Sequence, residues 1–192
     1  MRHGARMSLR RRAPVRLLPF AAAVAAVAAV AACSGRADDD TALARAASFQ
    51  QALKAELMAA MAAGGPVNAV KVCSERAPAI AEEASTDGYS VRRIGTRVRN
   101  LANTPSTADQ QALAELAAKP DARFVRGDGD DVVLARRYVP LRIEAACLNC
   151  HGKPDGMQSE LLQALATRYP DDKATGYALG DLRGAIVVET RH

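Results

Sequence analysis

Cys147-Leu148-Asn149-Cys150-His151 constrains this chain more than any other stretch. C-x-x-C-H is the attachment signature of a c-type haem. Two thiols at this spacing can form thioethers with the two vinyl groups of one porphyrin. The histidine directly after the second thiol then lies under the iron as the proximal ligand. Gly152 follows, where the chain can leave the ring without a side chain in the way. A zinc site would want a second pair of ligands, and the only other histidine outside the leader is the terminal His192. A redox dithiol does not explain the adjacent histidine. The motif therefore predicts one covalent haem c, held by Cys147 and Cys150 and ligated by His151.

The N-terminus says where such a protein works. Arg2, Arg6, Arg10, Arg11, Arg12 and Arg16 precede an apolar, alanine-rich run from Leu17 to Ala32. A basic segment followed by an apolar one is the pattern of a secretory signal peptide. The run ends in Val30-Ala31-Ala32-Cys33, which resembles a bacterial lipobox, so residues 1–32 are expected to be a lipoprotein-type signal and Cys33 the acylated first residue. At about 16 residues the run is short for a transmembrane span of about 20. Residues 33–40 are expected to be a tether and 41–192 the haem domain, on the periplasmic side of a bacterial membrane and anchored by lipid.

Removing the leader changes the charge argument. The whole chain carries +5, from 26 basic and 21 acidic residues. Six of the arginines and none of the acids precede Cys33, leaving about −1 for the remainder. The basic balance belongs to the signal and gives no reason to expect nucleic-acid binding. Aromatics make up 4% of the sequence and tryptophan is absent. Alanine and valine must fill much of the interior, and a haem would add apolar volume. Cys73 is left without an assigned partner in an exported chain, which calls for a disulfide, a reactive role or a ligand role.

The patterning predicts an α+β class. Helices are expected over Thr41–Ala63, with Asp38 to Asp40 favouring its N-terminus, and over Val67–Glu83, broken near Pro78, with Gly64-Gly65 between them. Cys73 falls on the apolar face of the second, with Val67, Val70, Ala77 and Ile80. A strand is expected over Tyr89–Val98, a loop over Arg99–Pro105 and a helix over Thr107–Ala118. Two strands, Arg123–Arg126 and Val132–Ile143, flank a Gly-Asp turn, with Pro140 at a bulge or an edge. A helical turn carries the haem motif, a short helix spans Ser159–Arg168, and a last strand covers Ala185–Glu189. Met58 and Met61 are expected as core filler near the stripe formed by Ala46, Phe49, Leu53, Leu57 and Ala60.

Four segments resemble a known family, the single-haem PAS-like domain of bacterial c-type haem proteins. They are Val70 to Ser74 with Ala77-Pro78, then Arg99-Asn100 with Asn103 and Pro105, then Tyr138-Val139-Pro140 leading into Cys147 to Gly152, and lastly Tyr169-Pro170 with Gly176-Tyr177, Gly180-Asp181 and Arg183-Gly184. The chain departs at Leu101, where that family tends to have proline. The resemblance implies a PAS-like antiparallel sheet with N-terminal helices packed around one haem. It also implies His151 on one face of the iron and the Cys73 thiolate on the other as distal ligand. Arg99 and Arg137 are candidates to meet the haem propionates.

With both iron faces occupied, and no cluster of general base and nucleophile, the expectation is single-electron transfer or redox sensing through an unidentified partner protein, rather than an enzyme. The alternative is a gas- or ligand-binding haem module in the manner of cytochrome c′. The β-branched run Ile186 to Val188 argues against the four-helix bundle which that alternative would need.

Overall fold

The computed structural model describes residues 20–130 and 133–191, with side chains described from Arg36 onward. The segment 1–19 and Cys33 lie outside the residues and side chains so described. The chain divides into two units, 1–37 and 38–192, and the site belongs to the second. Among the described residues no helix is long and apolar enough to cross a membrane.

Helix α1 (Phe20–Glu83) is two helices joined at a kink, where Gly64 and Gly65 leave helical geometry and Gly65 takes φ 69°. That left-handed angle is cheap only for glycine. Pro66 follows in the first turn of the second helix, where a missing N–H costs nothing. Two expectations fail here. Helix continues through Pro78, held on both sides by buried Val70 and Ile80. Residues 36–40, expected as a tether, are helical, and Asp39 is buried against Arg126 and Arg137 rather than standing at a helix N-terminus.

Strands β1 (Tyr89–Gly95), β2 (Val125–Gly127), β3 (Val133–Arg142) and β4 (Leu182–Arg191) form one antiparallel sheet in the order β1-β4-β3-β2. The last strand is thus central, covered on both faces, which is why Gly184 to Glu189 are buried without alternation. Pro140 pairs with Ala185 on the β4 side, beyond the last β2 partner Tyr138, and a bulge follows at Leu141/Arg142. Its missing N–H therefore breaks no ladder on the β2 side.

Helix α2 (Thr107–Ala118) starts at a capping box between Ser106 and Asp109. Its Ala112, Leu113 and Leu116 pack on one sheet face against Ile94, Tyr138 and Val187. The first helix of α1 covers the other face, where Ala42, Ala46 and Phe49 meet Val91, Ile186 and Val188. Of the predicted stripe, Ala46, Phe49 and Ala60 are buried, whereas Met58 is 60% exposed and fills no core. Two short helices complete the unit, α3 (Leu148–His151) and α4 (Ser159–Arg168). The sheet leaves no room for a four-helix bundle.

Candidate functional site

The predicted attachment motif forms one compact turn. A 3-10 turn over Ala145–Cys147 runs into α3, so Cys147 and Cys150 stand three residues apart, about one helical turn, and His151 follows directly. Gly152 caps the turn through its N–H to the Leu148 carbonyl. A Cβ at Gly152 would lie 2.6 Å from that carbonyl oxygen, so close approach, not a positive φ, requires the glycine.

A loop from Asp172 to Tyr177 clamps this turn. The N–H of Tyr177 donates to the His151 carbonyl at 3.0 Å, and that of Gly176 to the Gly152 carbonyl at 2.7 Å. The side chain is held too: His151 Nδ1 lies 2.6 Å from the Ala174 carbonyl oxygen. A carbonyl only accepts, so Nδ1 carries the proton and Nε2 keeps its lone pair. Burial, reinforced by the positive charges of Arg99 and Arg183, pushes the imidazole pKa down to about 3, so the ring is neutral. The Tyr177 ring stands edge-on to it, with centroids 6.3 Å apart.

Arg99 and Asp172 support the clamp from behind. Arg99 donates from Nε to Asp172 at 2.9 Å and from Nη2 to the Cys150 carbonyl at 2.6 Å. The other Asp172 oxygen accepts from Ala174 N–H at 2.7 Å. One carboxylate therefore joins the backbone of the second motif cysteine to the residue whose carbonyl orients His151.

The second helix of α1 also borders this region. Val70 packs with Leu161 and Leu165 of α4, and Cys150 and Met157 lie against that cluster. Cys73, one turn beyond Val70, is half-buried and close enough to Cys150 for their charges to interact. Burial pushes the Cys73 thiol up, Arg93 pulls it down, and Glu56 and Cys150 push it up. Burial likewise raises Cys150, against Arg99. Cys73, Cys147 and Cys150 are all free thiols. The fold thus brings Cys73 to the same region as the motif.

Among the described residues no three His, Cys, Asp or Glu side chains converge on a point that could hold a metal ion. Both candidates for the propionates already hold an aspartate. Arg99 is bound to Asp172, and Arg137 is buried against Asp39 at 2.8 Å.

The family model named Tll0287-like matches residues 21–190. The chain belongs to the Tll0287-like family. The crystal structure of the cyanobacterial heme-protein Tll0287 superposes with a TM-score of 0.59 at 25% identity, covering 78% of this chain and 94% of that one. No curated protein matches the chain.

Sequence reasoning missed Asp172, Ala174, Arg93 and Arg183 as parts of this region. Ala174 contributes a backbone carbonyl, which no residue type encodes. Gly176-Tyr177 stood among the family-like segments without a role, and the contacts above supply one.

Proposed function

We propose that this chain is an exported, lipid-anchored mono-haem c-type protein acting in single-electron transfer or redox sensing. The observation that carries the reading is the state of His151. Its Nδ1–H is engaged by Ala174 and its ring is neutral, so Nε2 is prepared as a metal donor on the turn that bears two free thiols. Membership of a family with a heme-protein of known structure supports the same cofactor.

The residues present fit a covalent haem. Cys147 and Cys150 would hold it through thioethers, His151 would be its proximal ligand and Cys73 its distal ligand. The antiparallel sheet, with α1 on one face, supports a PAS-like frame around it. When bound, the haem supplies one-electron chemistry at its iron. The Ala174 carbonyl fixes the orientation of the His151 ring and makes the imidazole a better donor, as outer hydrogen bonds do for metal-bound histidine. Arg99 and Asp172 keep that carbonyl in place. A thiolate on the second face would favour the ferric form, which suits a low-potential carrier or a redox-responsive sensor. The anchor would be acylated Cys33, facing the periplasm, with a redox protein as partner.

The deciding experiment is expression of the full chain together with haem-maturation machinery. The haem should stay with the denatured polypeptide in gel electrophoresis and add one haem mass to the chain. Cys150→Ser should lose most of the holoprotein. A colourless wild-type product would overturn the reading.

A further inference from the structure

Among the described residues, Arg93 and Arg183 are two partly buried guanidinium groups of the candidate site that form no ion pair with a carboxylate. Arg93 lies on β1, on the same sheet face as Val91, which packs against α1, the helix that bears Cys73. It makes no ion pair with a carboxylate among the described residues, although it is half-buried and the charges acting on it include Arg183 and Cys73. Arg183 reaches the same face by another route. Its Nη1 occupies the space above Gly95, where a Cβ would come within 2.8 Å. Gly95 is one pleat along from Arg93, and only a residue without a side chain leaves that space open.

Arg183 is fixed but not neutralised. It donates to the Arg97 carbonyl at 3.0 Å and lies 5.5 Å from the centroid of Tyr177, the ring that stands edge-on to His151. Asp172, the nearest acid to Arg183, is already bound to Arg99. Burial pushes both Arg93 and Arg183 below the usual guanidinium range; the charge of Arg183 adds to this at Arg93, and that of Arg99 adds to it at Arg183 against Tyr177 and Asp172. Partly buried like charges that act on each other are costly unless an anion joins them. Guanidinium groups match carboxylates in a two-pronged fork.

We propose that Arg93 and Arg183 together form the binding site for the two carboxylates of the haem propionates. The inference rests on the haem reading above and assigns the propionate end of that cofactor. Arg99 and Arg137 are unsuited to it because each already holds an aspartate.

The test uses the full-length holoprotein carrying haem labelled with carbon-13 at the propionate carboxyls. Redox-difference infrared spectra and the midpoint potential are recorded for wild type, Arg93→Gln, Arg183→Gln and the control Arg168→Gln. Arg168 is exposed and paired with Ser74 and Glu75. The labelled carboxyl bands should move in both site variants, and the midpoint potential should fall because a positive charge near the iron is lost. The control should match wild type. Should a glutamine variant yield no holoprotein, the lysine variant takes its place. Its point charge should still move the labelled band, because the two-pronged contact is gone. Unchanged bands and potential in the Arg93 and Arg183 variants, with haem covalently bound, would overturn the propionate assignment alone. Absence of covalent haem from the wild-type chain would instead overturn the reading beneath it.

Discussion

Replacing Asp172 by asparagine removes one charge and little volume from the clamp behind His151. Both partners of the Arg99–Asp172 pair are nearly buried, at 11% and 12% side-chain exposure. The carboxylate also accepts the Ala174 N–H. An amide has a single acceptor oxygen, so either Arg99 Nε or Ala174 N–H must face an NH2 group. Breaking a buried pair from one side costs about 3–5 kcal/mol, and the residual exposure argues for the lower end, about 3 kcal/mol. In a unit of 155 residues each kcal/mol moves the midpoint by about 2–4 °C, so Tm should fall by about 6–12 °C. The assay is thermal unfolding of the holoprotein followed by circular dichroism, with Asp171→Asn as the control. Asp171 is exposed and adjacent in sequence. Because Ala174 orients the imidazole, the ferric electron-spin-resonance signal should also shift in Asp172→Asn and not in the control. A Tm within about 2 °C of wild type, with an unchanged signal, would refute the claim that this pair holds the His151 loop.

Cys73→Ala should open the sixth position, turn ferric iron toward high spin, admit cyanide and raise the midpoint potential. A wild-type low-spin spectrum in that variant would remove Cys73 from the iron. Cys33→Ser should abolish partitioning into detergent while leaving the haem spectrum unchanged, and mass spectrometry should find acyl chains only on the wild-type Cys33. Stability should also fall in acid through Asp109. Burial raises its pKa, but the two hydrogen bonds from Arg92 and those of the capping box outweigh this and hold it below 3.8. A depressed folded pKa contributes stability that is fully present above the unfolded value and is lost as pH falls through the folded one. Denaturant midpoints measured from about pH 5 downward should therefore decline less steeply in Asp109→Asn than in wild type. Parallel declines would show that Arg92 gives Asp109 no advantage in the folded state.

Local chemistry was legible in the order of residues. Five consecutive residues carry both thiols and the ring nitrogen, and the fold keeps them together on one turn. Gly64-Gly65 marked the kink in α1, because backbone conformation depends on immediate neighbours. The β-branched run Ile186 to Val188 announced a strand. What a break does in context was less legible. Pro78 lies within continuous helix because burial on either side outweighs its local cost.

The tertiary structure alone decided what surrounds the motif. Strand order is a matter of pairing between distant segments, and it places the last strand in the centre of the sheet. The partner of His151 is a main-chain oxygen 23 residues away, which any residue type could have supplied. Arg93, Arg97, Arg99, Arg137 and Arg183 are indistinguishable as letters. Only the fold assigns Arg99 to Asp172, Arg137 to Asp39 and Arg97 to the Thr175 carbonyl, while Arg93 and Arg183 form no ion pair among the described residues. The role of a charge depends on which opposite charge the folded chain brings within a few ångströms, and that distance is a property of the whole chain.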